Sequence, residues 1–232
     1  MTAPVLSTVG LAAGYHGQPV VHDIDLTFDE GEMVGLFGAN GAGKTTALLA
    51  LAGEIPPLQG EVRLFGRPHP GSLYRAARSG VALLTDDRAI FTPLTARDNL
   101  RLGRGGVRKA LEFFPELEEH LDRRAGLLSG GQQQMLSLAR ILASEPRLIL
   151  ADELSLGLAP LVVRRLLVAL REAADRGAAV VLVEQHVAVA ARSIDRAFVI
   201  ARGRVVLELT GDQLREDPAQ VGEVYLAGEL PE

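Results

Sequence analysis

Residues 37–46 read FGANGAGKTT, and here Lys44, one of only two lysines in the chain, is set among Gly38, Gly41 and Gly43. The spacing Gly38, Gly43, Lys44, Thr45 fits G-x-x-x-x-G-K-[ST], a loop whose backbone N–H groups wrap around nucleotide phosphates. That reading requires a strand before the loop and a helix after it. MVGLF (33–37) is a continuous apolar run, and TTALLALAG (45–53) has helical character with Gly53 as its stop. Strand, loop, helix is the required order. Gly38, Ala39, Asn40, Gly41, Ala42, Gly43, Lys44, Thr45 and Thr46 are therefore candidate phosphate-binding residues. Lys44 supplies a point charge to the β- and γ-phosphates, while a helix expected to begin at Thr45 adds oriented dipoles.

Outward from this loop, residues 5–37 read as short strands separated by turns, with VVHDIDLTF alternating as a half-buried strand does. GEVRLFG (60–66) and VALL (81–84) read as further strands. The texture then changes. RKALEFFPELEEHLDRRAG (108–126) is charged and helical with a proline inside, which points to a small helical subdomain inserted over about residues 87–145. A helix follows at about 132–143, then the strand LILA (148–151), a helix at 161–175 between Pro160 and Gly177, and the strand AAVVLV (178–183). Helices alternating with continuous apolar strands give an α/β domain whose mainly parallel sheet is covered on both faces.

The chain of 232 residues is long enough for one large domain with a substantial core, and residues 1–232 are read as a single domain. Hydrophobic residues make up 47% and charged residues 23%, a globular balance. A net charge of −5 argues against the basic surface that nucleic-acid binding requires. With no cysteine, disulfides and thiolate metal sites are excluded. The N-terminus has no basic segment leading into an apolar core, and no run approaches the ~20 apolar residues of a membrane span. The expected location is cytoplasmic, with any membrane link made through a partner.

In a parallel sheet, ligands gather at the carboxyl edge of the strands, so the residues after LILA face the phosphates. These are Asp152 and Glu153. Asp152 is assigned to the shell of a Mg2+ ion bridging the phosphates, with Thr45 as a further oxygen ligand, and Glu153 to polarising the attacking water. A second feature is LLSGGQQQMLSLARIL (127–142). Ser129 stands where an N-cap would, Gly130 and Gly131 bare backbone N–H groups, and Met135, Leu138, Ala139 and Leu142 share one helical face. Such an open helix end is a ready anion site.

LSGGQ, following a phosphate loop and preceding a strand that ends in Asp-Glu, resembles the ATP-binding subunit of ABC transporters, and the likeness runs over nearly the whole chain. It implies an ABC-type P-loop core with an antiparallel β subdomain beside the parallel sheet and the helical subdomain. By this resemblance Tyr15 stacks on adenine, and Ser129, Gly130, Gly131 and Gln132 belong to the signature that completes a second subunit's ATP site. Asp152 and Glu153 are the Walker B pair, His186 after VVLVE is the switch histidine, and Asp86 occupies the Q-loop position beside the metal. ATP and Mg2+ are the implied ligands.

SLGLAPL (155–161), VEQH (183–186), DDRAIFTPLTARDNL (86–100) and DRAFVIARGRVVLEL (195–209) further resemble the branched-chain amino-acid importers, whose relatives also carry other polar solutes. The implied partners are membrane permease subunits, a second ATP-binding subunit packed head to tail, identical or related, and indirectly a solute-binding protein. The alternatives are a non-transport ABC ATPase and a regulatory nucleotide-binding switch. Five positions depart from the family pattern: Asp86 stands for Gln or Glu, Thr85 for proline, Leu154 for the proline after the Walker B glutamate, Ala159 for the aspartate of many relatives, and Ala151 interrupts an otherwise bulky apolar strand. Phe91 and Leu94, apolar in an expected surface loop, are candidates for a groove receiving the permease.

Overall fold

VVHDIDLTF lies in the second strand of a hairpin. In the structure, a computed structural model describing residues 3–85, 89–185 and 187–222, β1 (Leu6–Tyr15) pairs antiparallel with β2 (Gln18–Phe28). The turn between them is His16-Gly17, with φ of 54° and 78°, the left-handed pair that suits the twist of a two-residue hairpin. These strands, 10 and 11 residues long, exceed the short strands expected, because irregular steps in the pairing bend them without ending the ladder.

The chain continues through β3 (Met33–Phe37), α1 (Lys44–Ala52), β4 (Gln59–Leu64), β5 (Arg67–Pro68), α2 (Leu73–Arg78) and β6 (Val81–Leu84). Then come α3 (Ala96–Arg101), α4 (Gly106–Phe113), α5 (Gly130–Leu142), β7 (Leu148–Asp152), α6 (Pro160–Asp175) and β8 (Ala179–Glu184). A single turn, α7 (Val187–Ala190), leads to β9 (Arg196–Ala201), β10 (Arg204–Thr210) and α8 (Gly211–Glu216). Four strands form an antiparallel sheet in the order β2-β1-β4-β5, and six form a second sheet in the order β10-β9-β3-β8-β7-β6, parallel except for β10.

Every residue of β3, β7 and β8 is buried, as the continuous apolar runs require. Alternate residues serve different cores. Met33 and Phe37 join Ile149, Ala151, Val180 and Leu182 on one face, with α5 and α6. Val34 and Leu36 join Leu148, Leu150, Val181 and Val183 on the other. On that second face α1 lies between the two sheets, with Ala47, Leu48 and Leu51 among Leu11, Val21 and Ile24. Leu48 and Leu51 are fully buried, each stabilising the fold by about 1.5–3 kcal/mol.

The charged stretch 108–126 differs from a single helix. Helix α4 ends at Phe113, Phe114 leaves helical geometry with φ −135° and ψ 73°, and Pro115 opens a separate 3-10 turn, Pro115–His120. The cause is Pro115, which has no N–H and disfavours helical geometry in the residue before it. Phe113, Phe114, Leu117 and Leu121 are thereby turned inward against α3 and α5, and Arg165 of α6 stacks on Phe114 at 4.6 Å. Two boundaries also shift: the helix expected from about 132 starts at Gly130, directly after its cap, and the strand LILA extends to include Asp152.

Candidate functional site

Strand β3 sits centrally between parallel strands β8 and β9, so the glycine loop leaving its end opens over the middle of the sheet's carboxyl edge. Gly43, at φ 103°, turns the chain into α1 and brings no capping side chain, and the first turn of α1 holds no acidic residue. Its leading N–H groups are left to an anion. A Cβ on Gly38 would come within 2.5 Å of the Ile200 carbonyl oxygen, and one on Gly43 within 2.7 Å of Val21 Cγ1. These two positions therefore exclude any side chain. The loop is also tied down from β10's side, where the Gly203 N–H donates to the Ala42 carbonyl at 3.0 Å.

Lys44 is the first residue of α1 and only 5% exposed. Its Nζ donates to the carbonyls of Gly38 and Ala39 at 2.9 and 3.1 Å, so it lies folded along the loop. Burial pushes its pKa below the ordinary lysine value, and the negative charges of Glu153, Asp152 and Glu184 partly oppose that shift. The phosphate loop and the acids after β7 thus share one electrostatic neighbourhood. Thr45 is exposed on the first turn of α1, and Thr46 is buried.

Asp152 closes β7 and is buried, and Glu153 follows at φ 45° with its N–H held by the Val183 carbonyl at 3.0 Å. A left-handed conformation in a residue with a Cβ costs about 1–2 kcal/mol, and the backbone bond to β8 holds it there. Glu153 lines a cavity of about 110 Å3 together with Ser155, Leu156, Gly157, Glu184 and Gln185. Among the described residues no cluster of three or more His, Cys, Asp or Glu side chains could hold a metal unaided. The donor set is nonetheless all oxygen, Asp152 with the Thr45 hydroxyl, and it fits Mg2+, which takes one or two protein oxygens and the rest from phosphates and water.

Tyr15 ends β1 beside the hairpin turn, 45% exposed, so one ring face is available for stacking. It pairs with Gln18, two residues from Val20, whose carbonyl lies 3.5 Å from the Cβ position of Gly43. The hairpin that carries Tyr15 thus runs beside the glycine loop. Asp86 and His186, the two remaining site candidates, lie outside the described residues.

The second candidate element lies elsewhere. Ser129 caps α5 in a capping box: its Oγ accepts from the Gln132 N–H at 3.3 Å, and Gln132 Oε1 accepts from the Ser129 N–H at 2.9 Å. Leu138, Ala139 and Leu142 face the core, as expected, while Met135 is only partly buried. Helix α5 belongs to the opposite sheet face from α1.

Sequence reasoning missed Glu184. It ends β8, is 2% exposed, and accepts from the Ser155 N–H at 3.0 Å and the Ser155 hydroxyl at 2.6 Å. A carboxylate closing an apolar run was the available signal. Phe91 is 54% exposed and lines a groove of about 570 Å3 with Tyr74, Arg78, Leu102, Arg104 and Arg140. Leu94 is not among the described residues lining that groove; it is 38% exposed, and its carbonyl accepts from the Ala125 N–H.

A family model described as ABC transporter matches residues 21–155. The chain is 38% identical to the high-affinity branched-chain amino acid transport ATP-binding protein BraG of Pseudomonas aeruginosa, over 92% of this chain and 96% of that one. It is 33% identical to a phosphonates import ATP-binding protein of Nostoc, over 93% and 97% of the two chains. It is 31% identical to the lipopolysaccharide export system ATP-binding protein LptB of Escherichia coli, over 95% and 96%. Among solved structures, an ATP-binding subunit of an ABC transporter superposes with a TM-score of 0.81 at 29% identity, covering 97% of this chain and all of that one, 100%. A dimeric bacterial ABC transporter cassette superposes with a TM-score of 0.77 at 25% identity, covering 88% and 98%.

Proposed function

Because the chain belongs to the ABC transporter family as an ATP-binding, ATP-hydrolysing subunit, we propose that it powers uptake of a small polar solute, a branched-chain amino acid or a close relative. The observation that carries the catalytic part is the placement of Lys44, buried beside Asp152, Glu153 and Glu184 at one sheet edge. The whole-length likeness to a branched-chain amino acid transport protein supports the solute class.

In this reading the N–H groups from Gly38 to Thr46 and the start of α1 cradle the phosphates. Lys44 leaves the Gly38 and Ala39 carbonyls for the β- and γ-phosphates, a stronger charge-assisted bond. Thr45 and Asp152 would hold Mg2+, with Asp86 as a third ligand, and the ion would supply charge neutralisation for the phosphates there. Glu153 orients and polarises the attacking water, His186 senses the γ-phosphate, and Tyr15 stacks on the adenine. The likeness to a dimeric cassette supports a head-to-tail pair in which Ser129, Gly130, Gly131 and Gln132 of one chain complete the site of the other.

Membrane permease subunits are the transmitting partners, with Phe91 in the groove that receives them, and a solute-binding protein acts indirectly. Among the described residues no helix is long and apolar enough to cross a membrane, and we place the subunit on the inner face of the membrane through its permeases. Reconstitution of the native complex tests the assignment. Hydrolysis should rise when a branched-chain amino acid and its binding protein are added. Stimulation by an unrelated solute alone, or export in place of uptake, overturns it.

A further inference from the structure

We propose that His120 is the positioning residue of the signature glutamine, Gln132, and that it acts only as a neutral ring. The inference rests on the reading that the α5 end completes an ATP site. The capping box fixes the glutamine amide: Oε1 is turned to the Ser129 N–H, so Nε2 must point away from it. That Nε2 lies 2.7 Å from Nε2 of His120. An amide NH2 only donates, so the ring nitrogen facing it must be the acceptor, and the ring proton sits on Nδ1.

His120 is not part of α5. It ends the 3-10 turn that Pro115 starts, and the buried Leu117 and Leu121 anchor that turn in the core. The same His120 Nε2 lies 3.3 Å from Glu119 Oε1. A carboxylate accepts and cannot donate, so the two neighbours of this nitrogen make opposite demands. A neutral ring serves Gln132, and a protonated ring serves Glu119.

The other charged groups of the adjacent elements are paired, exposed or further along their helix. On its own segment Glu116 pairs with Arg165 and Asp122 with Arg97, while Glu118, Arg123 and Arg124 are exposed. From α4, Arg108 pairs with Glu112 and Lys109 with Glu145. Helix α5 contributes Arg140, two turns further along. Protonation therefore puts two donors face to face, turns the Gln132 amide, and opens one arm of the cap that orders Ser129, Gly130 and Gly131.

Steady-state ATP hydrolysis by the full chain tests this. His120→Phe keeps bulk and removes the acceptor, and should lower kcat about five-fold, the scale of one neutral hydrogen bond. His120→Gln restores an acceptor and should restore the rate. His120→Arg installs a permanent donor and should be slow. Equal rates for the Phe and Gln variants, or a His120→Arg rate equal to that of His120→Gln, overturn the proposal. If His120→Phe does not fold, the comparison of His120→Arg with His120→Gln decides. Gly130→Asp separates the underlying reading: a parental rate there sinks the shared site itself, whereas an inactive Gly130→Asp beside a fully active His120→Phe sinks only the role of His120.

Discussion

Glu184, at the end of β8, holds Ser155 by two hydrogen bonds, accepting from its N–H at 3.0 Å and its hydroxyl at 2.6 Å. The pair joins the central sheet to the loop that follows Glu153. Glu184→Ala leaves a part-buried N–H and hydroxyl unanswered and should destabilise the protein by about 1–3 kcal/mol. Ser155→Ala keeps the N–H bond and loses the hydroxyl's, so it too should destabilise, by a smaller amount. Denaturant midpoints at constant m-value measure both, and an unchanged midpoint for Glu184→Ala contradicts the bridge.

Lys44 and Glu153 should separate binding from chemistry. Lys44→Ala removes the ground-state charge on the phosphates and should abolish the thermal shift that Mg-ATP produces, a gain of about 2.7 kcal/mol at a hundredfold excess over Kd. Glu153→Gln should keep that shift and hydrolyse ATP at least about a hundredfold more slowly, as loss of a positioned base implies. Parental turnover in Glu153→Gln would show that another group handles the water.

The proposed sharing of each ATP site between two chains predicts complementation. Lys44→Ala chains mixed with Gly130→Asp chains should regain part of the activity, because one of the two composite sites is then built from intact halves. A carboxylate at residue 130 repels the γ-phosphate at short range, so Gly130→Asp alone should be inactive. A verified mixed dimer that stays inactive argues against sharing.

Phe91→Ser should leave folding and nucleotide binding of the isolated subunit near normal, since the ring is more than half exposed at 54%. In the assembled transporter the same change should reduce assembly or solute-stimulated hydrolysis. A lowered melting temperature with equal damage in both settings would identify Phe91 as an anchor of its own loop.

The parts of the site that depend on local geometry were legible in the sequence. Gly38 and Gly43 are glycines because Ile200 and Val21 leave no room for a Cβ, and Gly53 stops α1 in a left-handed cap at φ 79°. Ser129 announced the start of α5, although the helix begins two residues earlier than its apolar periodicity implies. What stayed hidden depends on distant partners. Glu184 is explained only by Ser155, and the sorting of α1 and α5 to opposite faces leaves no trace in strands that are apolar on both sides. His120 and Gln132 each look like ordinary polar residues until the capping box turns one amide toward the ring.

The position of β3 in its sheet also sets an order of events during synthesis. Met33 pairs with Val180 and Val34 with Arg196, partners about 150 residues further along the chain. Such pairings close late, because a long loop must lose its freedom before any contact rewards it. While the hairpin β1–β2 can form as soon as its own residues leave the ribosome, the strand that carries the phosphate loop waits until residues 179–201 have been made. Until then MVGLF is an unpaired apolar strand and the glycine loop has no floor. A chain released before β8 and β9 are made is therefore an aggregation hazard that carries an intact nucleotide motif and no nucleotide site.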